Sequence, residues 1–157
     1  MIKRIVSGGQ TGVDRGALDA ALAAGVDCGG WCPRGRRAED GLIPALYPMT
    51  EAPGARYIAR TKLNVRDSDG TIVLAPGAPS GGTRATIEHA SRLGRPCLVL
   101  DLASIDDMEA VSAATRWVET EEISVLNVAG PRASGWADGR TRADAVISGL
   151  LRQFHPE

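Results

Sequence analysis

Four short segments of the chain consist almost entirely of aliphatic and β-branched residues. They are Ile2–Val6, Thr71–Ala75, Cys97–Asp101 and Ile123–Val128. Polar residues hardly alternate with apolar ones in these segments, so each is predicted to be a strand with both faces buried. Strands of this kind are typical of a parallel sheet that is covered by helices on both sides.

Segments with helical spacing lie between and after these strands. The clearest one carries apolar residues at three- and four-residue steps, on one face of a helix: Ala143, Val146, Ile147, Leu150, Leu151 and Phe154. Val13–Ala24 and Thr83–Leu93 also have helical patterns, and each is followed by a glycine that can end a helix. A further helix is predicted from Ser104, with an apolar stripe that continues to Val118.

The alternation of strands and helices predicts an α/β fold class. We expect one domain over residues 1–157, with a Rossmann-like, doubly wound and mostly parallel sheet of about five strands and helices on both faces. The segment Gly29–Gly54 interrupts the alternation, because it is rich in Gly, Pro and Arg and has no clear period. We interpret it as an ordered excursion over the surface with about one short strand, since disordered segments are poor in large aromatic residues such as Trp31.

The charge balance limits the classes of partner. Lys and Arg number 18, Asp and Glu number 19, and the net charge is −1. A chain with this balance has no overall attraction to nucleic acid or to an anionic membrane surface, so we expect neither as a partner. No run approaches the roughly 18 apolar residues of a membrane span. Because Met1–Val6 leads into a strand-like segment instead of a signal-peptide core, we expect a cytoplasmic protein.

Cys28, Cys32 and Cys97 are an odd number of cysteines in a chain for which no export signal is expected. Reduced thiols are therefore predicted, and a disulfide framework is not. Cys28 and Cys32 are close enough in sequence to form a pair of zinc ligands. However, His89 and His155 lie in a predicted helix and in the tail, and no second cysteine pair exists. We predict buried free thiols and no tightly bound metal.

A glycine-rich turn follows the first predicted strand and leads directly into a helix. This first loop consists of Ser7, Gly8, Gly9, Gln10, Thr11 and Gly12. Glycines let the backbone turn tightly and approach a ligand, while the free N–H groups and the positive dipole end of a helix favour an anion. The first loop is therefore a candidate phosphate site, although it matches neither the dinucleotide fingerprint nor a Walker sequence. The alternative is a turn without a ligand.

Two further turns of this kind follow later strands. The second loop is Pro76–Thr83, which opens a helix, and the third loop is Ala129–Ser134. Loops at the carboxyl ends of neighbouring parallel strands meet at one crevice, so we expect the loops to share one ligand. The residues of these two loops that are predicted to bind it are Gly81, Gly82, Thr83, Gly130, Pro131 and Arg132.

Arginines near the loops are candidate phosphate ligands, because a guanidinium binds an oxyanion with two parallel hydrogen bonds. Arg132 belongs to the third loop, and Arg15 and Arg84 lie early in their predicted helices. For Arg15 and Arg84 the alternative is a solvated surface position.

A polar stripe is predicted if Tyr57–Asp67 is helical. Its members are Arg60, Thr61, Asn64 and Asp67. The stripe faces the ligand crevice, a neighbouring subunit or solvent, and the sequence leaves these three possibilities open. Trp31 and Trp136 lie in predicted loops, where an indole stacks on a flat ring or packs over the sheet edge.

Longer motifs extend in order along nearly the whole chain: SGGQTGVDR (7–15), GWCPRGRRAEDG (30–41), RT, NV and DSDGT within 60–71, GGT (81–83) and NVAGPR (127–132). Together they resemble the putative molybdenum carrier family. That family is a branch of the Rossmann-like SLOG superfamily, which also contains LOG-type phosphoribohydrolases, nucleotide-ligand sensors and DNA-processing proteins. The resemblance implies a doubly wound sheet, a ligand cleft built by the three loops, and a homo-oligomer.

The first functional hypothesis is a binding or carrier protein for a phosphorylated small molecule, either a nucleotide or a molybdenum cofactor-like pterin. The chain has loops suited to an anion, but its spacing assembles neither a carboxylate pair nor a nucleophile with a histidine. From the first loop and its helix, Gly8, Gly9, Gln10, Thr11, Gly12 and Arg15 are predicted to contact the ligand.

The alternative is a LOG-like hydrolase that cleaves nucleoside monophosphates to base and ribose phosphate. Glu88 or Glu39 would be its acid–base group, and Arg84 or Arg132 would hold the phosphate. LOG enzymes resemble P-G-G-x-G-T-x-x-E at the second loop, whereas Thr86 stands here at the place of the glutamate. This departure favours the carrier over the hydrolase. Ligand sensing within a larger assembly is a third hypothesis.

Overall fold

Short parallel strands form the centre of the protein. The structure is a computed structural model that describes residues 1–54 and 57–156, without the side chains of residues 57 and 58. The predicted domain also includes residues 55, 56 and 157, which lie outside the described residues. In chain order the elements are β1 (Arg4–Val6), α1 (Val13–Ala24), β2 (Asp27–Gly29), β3 (Trp31–Cys32), β4 (Arg37–Ala38), β5 (Gly41–Leu42), β6 (Thr50–Glu51), α2 (Tyr57–Arg66), β7 (Gly70–Ala75), α3 (Gly81–Arg92), β8 (Cys97–Asp101), α4 (Asp107–Thr120), β9 (Val125–Ala129) and α5 (Gly139–Phe154).

The central sheet has the strand order β2-β1-β9-β7-β8, and its strand pairs are all parallel. The connections through α1 and α4 run toward the β2 edge of the sheet, and those through α2 and α3 run toward the β8 edge. Because such crossovers are right-handed, the two pairs of helices lie on opposite faces. The contacts agree, because α5 packs on α1 and α4, whereas α2 packs on α3. The predicted α/β class, with a parallel five-stranded sheet and helices on both faces, is confirmed.

The core lies on both sides of this sheet. Ile5, Ile72 and Leu126 come from its three central strands and have no exposed surface. The apolar stripe that predicted the last helix is also buried, including Ile147 and Leu150. None of the helices formed by the described residues has the length and apolar character that are needed to cross a bilayer.

Strand limits differ slightly from the predicted ones. β8 coincides with the predicted Cys97–Asp101, while the last strand spans Val125–Ala129 instead of Ile123–Val128. The sequence patterns did not identify β2 as a strand. Its residues, Asp27, Cys28 and Gly29, include no aliphatic or β-branched side chain, and they pair with β1 through the register Ile5↔Cys28.

The segment Gly29–Gly54 differs from the predicted surface excursion with about one short strand. It contains four two-residue strands: β3 pairs with β6 in parallel, and β4 pairs with β5 as an antiparallel hairpin. Ile43 and Tyr47 from this segment are each only 2% exposed, so it extends the core as well as covering it. The buried positions of this segment are separated irregularly by Gly and Pro residues, so the sequence shows no hydrophobic period that would predict their burial.

Candidate functional site

The strand order creates a crevice at the carboxyl end of the sheet. β9 lies between β1 and β7, and the helices that follow β9 and β7 pack on opposite faces. Ligands of open α/β sheets bind at such a switch point. A cavity of about 650 Å³ lies at this position. Its volume is within the usual range for small-molecule sites.

All three glycine-rich loops contribute to the wall of this cavity. The predicted ligand-binding residues that line it are Gly8, Gln10, Gly81, Gly82, Thr83, Gly130, Pro131 and Arg132. The remaining ones, which lie behind the wall, are Gly9, Thr11, Gly12 and Arg15. The structure therefore brings the loops together, but it separates their residues into a wall and a supporting layer.

The N–H groups of the first loop point at a carboxylate of the chain itself. The Gln10 N–H donates to Asp14 Oδ2 over 3.2 Å, and the Gly9 N–H donates to Ser7 Oγ over 3.3 Å. Gly12, at a φ of 80°, brings the loop against the third loop, where a Cβ would lie 2.5 Å from the Pro131 carbonyl oxygen. Asp14 thus occupies the place that the sequence suggested for an external anion.

The second loop has a different arrangement. Ser80, the N-cap of α3, makes no side-chain capping hydrogen bond, and Gly82 would meet no atom within 4 Å if it carried a Cβ. The loop is anchored from behind, where the Gly77 N–H donates to Asp101 Oδ1 over 2.7 Å. Thr83 is 8% exposed and lines the cavity. The N-terminus of α3 therefore opens onto the cavity without a capping side chain from the described residues.

The third loop is attached to the first loop by Glu39, at the turn of the β4–β5 hairpin. Its carboxylate accepts a hydrogen bond from the Thr11 hydroxyl. It also accepts one from the Ser134 N–H over 3.1 Å and one from the Ser134 hydroxyl over 2.6 Å. The bonds from Ser134 and Thr11 lower the pKa of Glu39. The Ala133 N–H also donates to Thr11 Oγ1 over 3.1 Å. Glu39 thus holds the loops together and does not line the cavity.

Arg15 and Glu88 also lie outside the cavity. The Arg15 guanidinium donates to both carboxylate oxygens of Asp40, at 2.5 and 2.8 Å, and its Nε donates to the Gly9 carbonyl. Glu88 is exposed on α3, where it forms an ion pair with Arg84. Arg15 supports the first loop, because its guanidinium is engaged by the hairpin behind it.

The polar stripe of α2 faces the crevice over most of its length. Arg60, Thr61 and Asn64 line the cavity. Asn64 also accepts a hydrogen bond from the Trp31 N–H and donates one to the Trp31 carbonyl, while Asp67 accepts from the Trp31 indole. Trp31 therefore packs beside α2, and both Trp31 and Trp136 lie outside the cavity wall.

The carboxyl group of Asp14, in the cavity wall, has a pKa well above its ordinary value. Burial raises its pKa to about 6, and this effect is opposed by the Arg60 charge, by hydrogen bonds from the loop N–H groups, and by Arg132. The Arg60 Nη1 lies 3.9 Å from Asp14 Oδ2. Among the described residues that line the cavity, Asp14 carries the only carboxylate.

Cys28 and Cys32 are buried thiols, and burial raises the pKa of each. Within residues 1–54 and 57–156, no group of three His, Cys, Asp or Glu side chains is close enough to hold a metal ion.

Residues 5–151 match the model of the Circularly permutated YpsA SLOG family. The chain belongs to this family. No curated protein matches the chain. The crystal structure of the Putative molybdenum carrier protein from Syntrophus aciditrophicus SB is 40% identical in sequence, with a TM-score of 0.93, and the match covers 96% of this chain and 95% of that one. The suspected family is thereby confirmed.

The strand order of this chain is a circular permutation of the Rossmann order. The Rossmann order is 3-2-1-4-5-6, with the first strand in the centre of the sheet. Moving that first strand to the end of the chain gives the order observed here, in which β9 is last in sequence and central in space. The third loop therefore takes the place of the first βα turn in a Rossmann fold, beside the crevice.

Asp14 is the residue of this SLOG chain that sequence reasoning missed. Asp14 lies within the predicted helix Val13–Ala24, and the sequence pattern assigned it no role. The available signal was the position of an acidic residue just after a glycine-rich turn, within reach of the N–H groups of that turn.

Proposed function

We propose that the cavity binds and carries a phosphate-bearing small molecule, either a nucleotide or a molybdenum cofactor-like pterin. The glycine-rich second loop and the cavity walls formed by the first and third loops would hold it. The volume of about 650 Å³ supports a ligand of this size. The name of the similar protein, a Putative molybdenum carrier protein, supports the pterin as one candidate cargo.

One observation carries the placement of the phosphate: α3 begins at the cavity without a side-chain cap, whereas the first N–H of α1, which also has no side-chain cap, donates to the Pro131 carbonyl. In the first loop, Asp14 accepts the hydrogen bond of the Gln10 N–H, and in the third loop Glu39 accepts that of the Ser134 N–H. Backbone N–H groups at an uncapped helix N-terminus bind a phosphate with the help of the helix dipole. We therefore assign the phosphate to Gly81, Gly82 and Thr83.

The charges around the cavity support an anionic ligand. Arg60 and Arg132 line it together with the single described carboxylate, Asp14. A cleft with an excess of positive charge attracts anions, and its low-dielectric walls strengthen the effect. Gly8, Gln10, Gly130 and Pro131 complete the proposed contact surface, while Gly9, Thr11, Gly12 and Arg15 shape the loop behind it.

Gly82→Asp tests the phosphate position directly. At the second residue of α3, its carboxylate would place a negative charge beside the N–H groups that we assign to the phosphate, so we expect binding of inorganic phosphate and adenosine monophosphate to fall at least tenfold. Gly82→Asn has the same shape without the charge and serves as the control. Calorimetric titration measures both affinities, and native mass spectrometry of the protein as isolated would identify a carried ligand. Equal affinities for the two variants would refute this assignment.

Hydrolysis of a nucleoside monophosphate is the second candidate function. The observation that favours it is a cavity carboxyl with a pKa of about 6, because acid–base catalysis is most effective when the pKa lies near the working pH. Neither Glu88 nor Glu39 lines the cavity, so Asp14 would take the proton of the attacking water. The water oxygen would bond to the sugar carbon as the carbon–nitrogen bond breaks. The base nitrogen would take the electron pair of that bond and a proton from solvent, and Asp14 would return its proton to solvent.

Chromatography of nucleoside monophosphates incubated with the protein decides between the two functions. Release of free base by the wild type, and not by Asp14→Asn, supports hydrolysis. Tight binding without release supports the carrier and removes the hydrolase.

A further inference from the structure

Of the carboxylates in the part of the chain that the structure describes, one faces the proposed ligand, from the wall that adjoins the first loop. Asp14, the second residue of α1, is 7% exposed and lines the cavity. Carboxylates are seldom buried to this extent unless they are paired or used, because burial removes their hydration. The carrier function proposed above assigns this group no role, since a phosphate gains nothing from a nearby negative charge.

Asp14 is held in place by backbone and by charge. The Gln10 N–H fixes Oδ2 at 3.2 Å, and Arg60 Nη1 approaches the same oxygen at 3.9 Å. The side chains of Arg60 and Asp14 are 12% and 10% exposed. A distance of 3.9 Å favours the ionised form of the carboxyl through charge, but it exceeds the length of a hydrogen bond.

Gly8 is the residue that lets this pair meet. A Cβ on Gly8 would lie 1.7 Å from Arg60 Nη1 and 2.9 Å from Asp14 Oδ2. The glycine therefore makes room for the guanidinium of Arg60, in addition to lining the cavity. Since both atoms end side chains, a methyl group at residue 8 would displace the Arg60 guanidinium and also crowd the Asp14 carboxylate.

We propose that Asp14 accepts a hydrogen bond from a hydroxyl or ring N–H group in the part of the ligand that is remote from its phosphate, with Arg60 as the positioning residue. This inference rests on the proposed binding function. Asp14 and the second loop line the same cavity. They follow β1 and β7, which are separated only by β9, so the ends of these two strands are about 10 Å apart, which is two strand spacings. A phosphorylated nucleoside or pterin spans this distance and presents such donors.

The chemistry of a buried carboxylate makes it selective. It raises the affinity for a ligand that supplies a hydrogen-bond donor and lowers the affinity for a ligand that leaves the carboxylate without one. An anion without a donor at the far end, such as inorganic phosphate, gains only the second-loop contacts and is repelled by Asp14. The ratio of the affinities for an organic phosphate and for inorganic phosphate therefore isolates the contribution of Asp14.

The test measures that ratio by calorimetry for the wild type, Asp14→Asn and the control Asp27→Asn, with adenosine monophosphate and a phosphorylated pterin as organic probes. Asp27 is an exposed carboxylate on β2 outside the cavity. We expect Asp14→Asn to lower the ratio at least tenfold and Asp27→Asn to leave it within twofold. If Asp14 only repels anions, the variant tightens both ligands equally and the ratio stays constant, which overturns the inference.

The outcome also separates this inference from the function on which it rests. Wild-type protein that binds neither organic probe removes the binding function and the role of Asp14 together. Wild-type protein that binds a probe with an unchanged ratio in Asp14→Asn removes only the role of Asp14. Arg60→Gln removes the guanidinium charge and is expected to raise the titration midpoint of the Asp14 carboxyl carbon in NMR spectra, and an unchanged midpoint would exclude a positioning role.

Discussion

Asp14 illustrates how a carboxylate of the chain can fill a turn that is shaped for phosphate. The first loop has the glycines and the following helix that favour an anion, and its N–H groups do bind one, namely Asp14 Oδ2. Residue types alone could not distinguish an internal anion from an external one. Only the position of the carboxylate relative to the loop distinguishes them, and it makes the second loop the better candidate for the phosphate site.

The pH dependence of stability tests the state of Asp14. Its pKa of about 6 lies above the ordinary 3.8, so the native protein binds more protons than the unfolded chain between these values. The free energy of unfolding contributed by this group therefore falls as pH rises, by about 3 kcal/mol in total. Asp14→Asn removes this loss, and urea denaturation at pH 4 and pH 7 measures it.

The stability gained by Asp14→Asn over the wild type should therefore grow between these two pH values. Asp27→Asn, on an exposed carboxylate, is the control and should follow the wild type at both. An Asp14→Asn advantage that is equal at pH 4 and pH 7 would show that the carboxyl is ionised normally in the folded protein.

Glu39 lends itself to a second test, on the third loop. Glu39→Gln removes the charge that accepts hydrogen bonds from Thr11 and from Ser134. Hydrogen bonds to an ionised group are stronger than those to a neutral one, so we expect the Ser134 N–H to exchange with solvent about tenfold faster. Amide exchange followed by NMR measures this change. Exchange at the wild-type rate would mean that the third loop is ordered without Glu39.

Residue types predicted the cavity wall better than they predicted residue roles. Gly81, Gly82, Thr83 and Gly130 follow strands, and the sheet brings the ends of those strands together. Arg15 was also predicted to contact the ligand, but its guanidinium pairs with Asp40, which is 25 residues away in sequence. A partner from an aperiodic segment cannot be identified from spacing.

At the scale of elements, one close helix contact depends on the absence of a side chain. α1 packs against α5, and a Cβ on Gly16 would lie 2.3 Å from the Arg140 carbonyl oxygen. The sequence placed Gly16 inside a helix, where glycine is unfavourable. The contact explains its presence, because the two helix backbones approach where no side chain intervenes.

Gly16→Ala should therefore destabilise the protein. The methyl group would force α1 and α5 apart, which costs about 3 kcal/mol by the usual scale of overpacking. Gly82→Ala, in the first turn of α3 where a Cβ would meet nothing within 4 Å, should be neutral or stabilising by up to about 1 kcal/mol. Chemical denaturation of both variants measures the free energies of unfolding. Similar values for the two would contradict the packing explanation.

The same scale explains which elements the sequence revealed. A long apolar stripe marks α5, and a run of aliphatic and β-branched residues marks β7, since one or both of their faces are buried. β2 and the strands between residues 31 and 51 have only two or three residues. β1 is equally short, but it ends an aliphatic run that begins at Ile2. The other short strands lie in no such run, and their pairing partners, which a local pattern does not contain, define them.

For the molecule as a whole, the strand order was not available from local patterns. The order of strands in a sheet depends on which connections run left or right, and these cannot be read from hydrophobic periodicity. The position of the last strand in the centre explains why the cavity takes a loop from the first strand, from the middle and from the end of the chain.

The permuted order predicts that the chain tolerates a new connection between its ends. His155 Nε2 donates to the Ile2 carbonyl over 2.7 Å, so a linker of a few glycines can join residues 156 and 1. Opening the joined chain between Glu121 and Glu122, an exposed turn after α4, restores the Rossmann order with β9 first. This variant should unfold cooperatively in urea and bind phosphate as the original chain does.

A second variant, with the same linker but opened between Ala78 and Pro79, cuts the proposed phosphate loop instead. Because β7, the later turns of α3 and their sheet contacts remain intact and only the first turn of α3 is released, it should also fold, as circular dichroism and urea denaturation would show. Its affinity for inorganic phosphate should fall at least tenfold, since the free ends no longer hold the N–H groups of Gly81 and Gly82 in position. If both variants fold and bind phosphate equally well, the second loop is not the phosphate site, and the first and third loops would have to supply it.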